Sequence, residues 1–305
     1  MGIKLSYRPT ALVLLGIVLI ASLLFHGVLN SRVSGSALLY VGIPFCIAIM
    51  LIFTAKKIDT PSLVQRFWFL ARDAFIVMLA SSAILMEGFL CVVMFMPIYF
   101  FIMLLAFLII YLYEKQSNKK NKLHIHILPI LLLISSLEGV HPDFSFNRYN
   151  EVTSTRVIQA DIQHIKRSLM QPVELQDKRG WFLSMFPMPY KVDAKALKVG
   201  DVHKVHYRYH RWVVTNVHEG HVLLKIAEVK DDYIRTEVIE DTSYLSNYMK
   251  SHGTEIQLNA IDDKNTEVTL TIKYERLLDP AWYFGPLQEY GVKQTADYLI
   301  TKMMD

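Results

Sequence analysis

Glu228 and Arg235 are the pair best suited to chemistry in this sequence. Glu228 falls in step with Val222, Leu224 and Ile226, so a strand there would put its carboxylate on an apolar face. A carboxylate in that position needs a partner or a raised pKa, and Arg235 on the next strand is available to supply the partner. Such a pair could anchor the polar end of a ligand or serve acid–base chemistry. The plainer reading is a surface ion pair at a strand edge. Nine aromatic residues are the material for an apolar pocket: Trp181, Phe182, Phe186, Tyr190, Trp212, Tyr274, Trp282, Tyr283 and Tyr290. A site for an apolar molecule is concave and mostly apolar, with a few polar anchors. The alternative for each ring is that it fills the core.

Other constellations are weaker. His203, His206 and His210 suggest a metal, but on a strand His206 and His210 share a face while His203 points away. No carboxylate is spaced to complete a ligand set, so neither metal nor cofactor is expected. The chain has no Gly-rich phosphate loop, HExxH, GxSxG or nucleophile arrangement. Cys46 and Cys91 both lie in apolar stretches, which excludes a disulfide framework or a Cys-based zinc site. The net charge of +4 is small, and the lysines cluster beside apolar segments. That pattern favours membrane orientation over nucleic-acid binding.

The elements that would position these residues divide near residue 140. Before it, Leu, Ile, Val, Phe and Met dominate; after it, the composition is that of a globular domain. Five apolar stretches, 10–28, 37–54, 67–86, 89–113 and 123–140, approach or reach the length that crosses a bilayer. Lys4, Arg8, Lys56, Lys57 and the lysines from Lys115 to Lys122 place the N-terminus and the second and fourth helix ends inside. The stretch 123–140 decides the side of the rest. If it crosses, residues 141–305 stand on the outer, periplasmic face of the cytoplasmic membrane, which is the expectation here. Glu87 reads as a solvated turn carboxylate rather than an intramembrane site.

In the second half, 152–160 reads as a strand, and Asp161 caps a short helix carrying Ile162, Ile165 and Leu169. An irregular aromatic stretch covers 181–190. A meander follows, with strands at 202–209, 211–217, 222–229, 233–240, 254–260 and 268–276. His218-Glu219-Gly220-His221 is expected to turn the chain. Ile256, Leu258 and Ala260 are expected to point inward, as are Val268, Leu270, Ile272 and Tyr274. A last helix is expected from Gly285-Pro286, burying Val292, Ala296, Leu299 and Met303, with Gln288, Glu289, Lys293, Asp297 and Lys302 turned away. The fold class is a multi-pass α-helical membrane domain followed by an α+β domain, an antiparallel sheet covered by its terminal helix.

Three stretches carry a resemblance: 152–161, 180–189 and Leu278-Asp279-Pro280-Ala281-Trp282-Tyr283. With the order of elements, they resemble the SRPBCC superfamily, the helix-grip fold of START-like lipid carriers and polyketide cyclases. Glu87 to Cys91 with Pro97, and Leu137-Glu138, resemble the membrane portion of a bacterial group that sets several helices before such a domain. The resemblance implies a sheet wrapped around a long C-terminal helix and an apolar ligand between them. The expected partners are the bilayer and a lipid or other apolar small molecule, with no nucleic acid; a membrane-protein partner is left open. Binding or transfer is expected ahead of turnover. A cyclase- or hydrolase-like enzyme and a non-catalytic interaction or sensor module are the alternatives.

Overall fold

The computed structural model describes residues 89–116 and 134–304 except 176–178 and 213–214, together with residues 131–132 and scattered positions between 35 and 76. The expected first span, 10–28, and Glu87 lie outside the described residues, and 37–54, 67–86 and 123–140 are described in part. The chain forms two compact units, Met1–Phe146 with Leu278–Tyr283, and Asn147–Leu277 with Phe284–Asp305.

In the first unit, Phe89–Gln116 is a helix of 28 residues (α1). It runs past the expected end at 113, because Glu114 and Lys115 continue the turn without a breaker. Ile98, Ile102, Met103 and Ala106 are buried, and Tyr40 stacks on Phe95 at 4.5 Å. Phe101, Leu104, Leu108 and Leu112 are exposed apolar positions of the same helix. Side chains of α1 are described for 94–109 and 111–112, and within the described residues no helix is long and apolar enough to cross a membrane.

The stretch 123–140 does not stay helical to its end. Residues 136–140 form turns, and Gly139 sits at φ +79°. A Cβ there would meet Asp279 Oδ2 at 1.9 Å, so only glycine lets this turn approach so closely. Buried Glu138 accepts from the Ala281 amide through Oε1 at 3.0 Å, and its carbonyl accepts from Ala37 at 2.8 Å. The Ser145 hydroxyl donates to Asp279 Oδ1 at 3.1 Å.

The second unit holds eight strands: β1 (Tyr149–Ile158), β2 (Val173–Glu174), β3 (Met188–Asp193), β4 (Val202–Trp212), β5 (Thr215–Val229), β6 (Tyr233–Asp241), β7 (Met249–Ala260) and β8 (Thr266–Arg276). They pair antiparallel in the order β1-β8-β7-β6-β5-β4-β3-β2. The short helix α2 (Ile162–Leu169) follows β1, capped as expected by Asp161, which accepts from His164 N at 2.6 Å. The terminal helix α3 is Ala281–Met304.

One helix touches both ends of this sheet. On the β1 edge, Ser154 donates to Asp297, and Arg156 donates to Thr301 Oγ1 at 2.7 Å. Towards the other edge, the Tyr298 hydroxyl donates to the Leu175 carbonyl at 3.2 Å, and Thr295 lies 3.7 Å from Met188 Sδ. Eight flat strands would span about 34 Å, whereas a helix with its side chains is about 10–12 Å across. The sheet therefore curls around α3, as the helix-grip expectation requires.

Several boundaries differ from the sequence expectation. Residues 218–221 do not turn. They lie within β5, with His206 opposite His221 and Tyr207 opposite Gly220. Gly220 is there for close approach: a Cβ would meet the Thr242 carbonyl at 2.3 Å. The tail of the aromatic stretch, Met188–Tyr190, joins β3, and Ala260 is exposed while Ile256 and Leu258 are buried. The helix α3 begins at Ala281 with Gly285 and Pro286 inside it.

Candidate ligand-binding interior

The inward stripe of α3 is Phe284, Gln288, Val292, Ala296 and Ile300, one residue every four, all buried. Leu299 is half-buried, and Met303 has no described side chain. Two polar residues expected to face away do not. Gln288 is 8% exposed and belongs to the stripe, and Asp297 is half-buried against Ser154. The reason is spacing: a stripe at i, i+4 from Phe284 passes through 288, and 297 neighbours 296 on the side of β1.

The face between helix and sheet is lined by three linked apolar clusters. Ala296 and Ile300 pack with Ile165, Leu169, Ile234, Ile256, Leu258, Val268 and Leu270. Leu175, Val192, Val205 and Val222 form a second cluster with Tyr298, and Val152, Tyr274 and Val292 a third. Leu299 joins the first to the second and Ile272 the first to the third. Towards the start of the stripe the lining turns polar and aromatic. Arg276 continues the inner face of Val268, Leu270 and Tyr274 and is 1% exposed. Burial pushes the Tyr274 hydroxyl up to about 12. Tyr209 stacks on Tyr244 at 4.8 Å, and the Tyr248 hydroxyl donates to that of Tyr244 at 3.2 Å.

Gln288 Nε2 donates to the Tyr248 carbonyl at 3.1 Å. Its Oε1 is buried with no hydrogen-bond partner. Reversing the amide would set two acceptors against each other at Tyr248, so the carbonyl end is fixed by the network.

A rim segment covers the connection between β2 and β3. Arg179 ties its base through Nη2 to the carbonyls of Leu175 (2.5 Å) and Pro189 (2.6 Å), with its guanidinium 5.6 Å from the Tyr298 ring centre. The turn Leu183–Met185 follows with Leu183 buried. Phe182 stands edge-on to Tyr290 of α3 at 5.0 Å and 4.9 Å from Phe186. Its ring lies 3.8 Å from where a Cβ on Gly291 would be. Trp181 is 79% exposed at the tip.

The structure thus brings Phe182, Phe186, Tyr290 and the adjoining Trp181 together, and it buries Tyr274. Tyr190 lies on β3 under the Arg208 guanidinium at 4.7 Å. Trp212 closes β4, opposite Thr215. Trp282 and Tyr283 belong to the first unit: Trp282 packs edge-on to Phe101 at 6.0 Å, and the Tyr283 hydroxyl donates to the Met94 carbonyl. Glu228 and Arg235 are register partners, but a bulge between Ile226 and Glu228 breaks the alternation that put Glu228 on the apolar face. Its carboxylate meets Lys230 at 2.6 Å and Arg235 at 3.7 Å, and the Lys230 hydrogen bond holds it below the ordinary carboxylate value. It is a surface ion pair.

Among the described residues no group of three His, Cys, Asp or Glu could hold a metal ion. His203 meets the Ala196 carbonyl at 3.0 Å and His206 meets Asp193 at 2.7 Å. Sequence reasoning passes over Gln288, Arg276, Tyr209, Tyr244 and Tyr248. The first two are legible by period, Gln288 at four from Val292 and Arg276 at two from Tyr274. The tyrosines come together only through pairing.

No family model and no curated protein matches the chain. Solved structures do resemble about half of it. A START superfamily protein from Mycobacterium smegmatis shares 11% identity, covering 50% of this chain and 94% of that one, at a TM-score of 0.35. The Zhui aromatase/cyclase from Streptomyces sp. R1128 shares 13%, covering 51% and 93%, at 0.32. Ginseng major latex-like protein 151 from Panax ginseng shares 16%, covering 50% and 99%, at 0.24. The helix-grip arrangement rests on the curl of the sheet around α3 described above.

Proposed function

We propose that the chain is a membrane-anchored binding or transfer protein for a lipid or another apolar small molecule, held between the curled sheet and α3. The observation that carries this reading is the interior itself. Its apolar clusters are linked through Leu299 and Ile272, and two polar side chains, Gln288 and Arg276, are buried at one end. A few polar groups set in an otherwise apolar wall are the pattern of a ligand site, where they orient the occupant. The aromatic rim of Phe182, Phe186 and Tyr290 is the entry, with Trp181 at its tip.

The anchoring rests on the first unit. By sequence, 89–113 carries no charge and has the ~20 or more residues that a span requires. The exposed positions of α1 are as apolar as its buried ones, and Leu131, Ile134 and Leu137 are exposed apolar residues too. A helix apolar all round belongs in a core or a membrane. The second unit then stands beside the bilayer, on its outer face, where a tether raises the effective concentration of a membrane-dissolved ligand.

The test is transfer. Full chain in donor vesicles carrying a pyrene-labelled lipid should speed its movement to acceptor vesicles in proportion to protein. Rates equal to those of protein-free vesicles would overturn the reading.

A further inference from the structure

We propose that the bound molecule is a neutral alcohol, and that its hydroxyl donates to Gln288 Oε1. This rests on the reading above and names the chemical group the interior selects. Gln288 is the second residue of an otherwise apolar helix stripe, between Phe284 and Val292. Its amide is held in one orientation by the Tyr248 carbonyl, which also accepts from the Leu277 amide at 3.1 Å. That leaves Oε1 buried, oriented and without a donor. Buried polar atoms in folded proteins are almost always satisfied, and an exception needs an explanation. The atom accepts and cannot donate, so its partner must carry an N–H or O–H.

The surroundings narrow the class. Val292 and Tyr274 pack together on the inner face, so an ionised amine would lose its hydration there at high cost. A carboxylate, ether or ester end would set one acceptor against another at Oε1. What remains is a neutral donor at the end of an apolar body; an un-ionised acid or an amide would also turn its own carbonyl toward Oε1, and the donor without one is an alcohol.

The test uses the full chain in bilayer nanodiscs and two photoreactive probes, a diazirine-bearing sixteen-carbon alcohol and its methyl ether. Carbene insertion is mapped by mass spectrometry to peptides covering 244–257 and 281–293. One hydrogen bond is worth about a 2- to 12-fold preference, so the alcohol should label these peptides more than the ether by a factor in that range. Gln288→Leu should bring the two probes level while ether labelling persists. Gln288→Met serves as the second variant if the leucine chain does not fold. Equal labelling by both probes in the unaltered chain, or a preference that survives both substitutions, would overturn the alcohol assignment, a water then being the donor, and leave the binding reading standing. Labelling of these peptides by neither probe would bring down both.

Discussion

Replacing three glycines by alanine gives a graded test of how the sheet is built. Gly180 has ordinary backbone angles, and a methyl group added there would meet nothing within 4 Å. Gly200 has φ +97° and equally open space. Gly253 has φ +150°, and a Cβ there would lie 2.0 Å from the Thr236 carbonyl oxygen, a backbone atom. Gly253 also follows the irregularity in the pairing of β7 with β8 between Ser251 and Gly253. Beside it Thr236 replaces the ladder, its hydroxyl accepting from the Thr254 amide at 3.1 Å. Gly180→Ala should therefore be neutral, or stabilise by up to about 1 kcal/mol through the unfolded chain. Gly200→Ala should cost about 1–2 kcal/mol for the left-handed backbone alone. Gly253→Ala carries a conformational cost of about 1–3 kcal/mol and an overpacking cost of about 1–3 kcal/mol, about 4 kcal/mol together. In a domain of this size that lowers the melting temperature by about 8–16 °C. Thermal melts of the three full-length variants, followed by tryptophan fluorescence, measure this. Losses at Gly253 no larger than at Gly200 would refute the close passage of β7 against Thr236.

Four further outcomes follow. Ser154→Ala strips the donor from Asp297 and should cost about 1–3 kcal/mol, read from the same melts. Glu228→Gln should leave lipid transfer unchanged. Because Glu228 is held below its ordinary value of 4.5, its ion pair stabilises the fold above that value and is lost as pH falls through the lowered one, so the variant should differ from the unaltered chain in melting temperature at neutral pH and converge with it in acid. Tyr274 should still be protonated at pH 11, seen as missing absorbance at 295 nm that Tyr274→Phe does not reduce further. Since its folded pKa of about 12 exceeds the ordinary 10, stability should fall as pH rises from 10 to 12. With Cys46 and Cys91 replaced, a cysteine at exposed Asp263 should react with an impermeant thiol reagent in intact cells; labelling only after lysis would put the domain inside.

What the sequence discloses depends on how local the cause is. The Asp161 cap and the alternation of Val268, Leu270 and Tyr274 are set by neighbours within a few residues, and both can be read directly. Gly220 reads as a turn because glycine serves two ends, and the carbonyl it makes room for, Thr242, is brought alongside only when the strands pair. Glu228 is misplaced by a bulge, since one extra residue reverses the face of all that follows. Helix α3 reads as starting four residues late because Pro286 fits a first turn, whereas its beginning is marked by Glu138 bonding the Ala281 amide across a distant stretch of chain. Gln288 is assigned outward by polarity against a period that places it inside. A polar residue at a core position is where such reasoning fails, and it is also where the candidate site lies.

The central claim is that the second unit encloses an apolar molecule. Residues 143–305, purified without detergent, extracted with organic solvent and analysed by mass spectrometry, test it most directly. An apolar molecule bearing a hydroxyl is expected, near one per chain. A protein that is folded yet yields an empty extract and takes up no fluorescent lipid would contradict it.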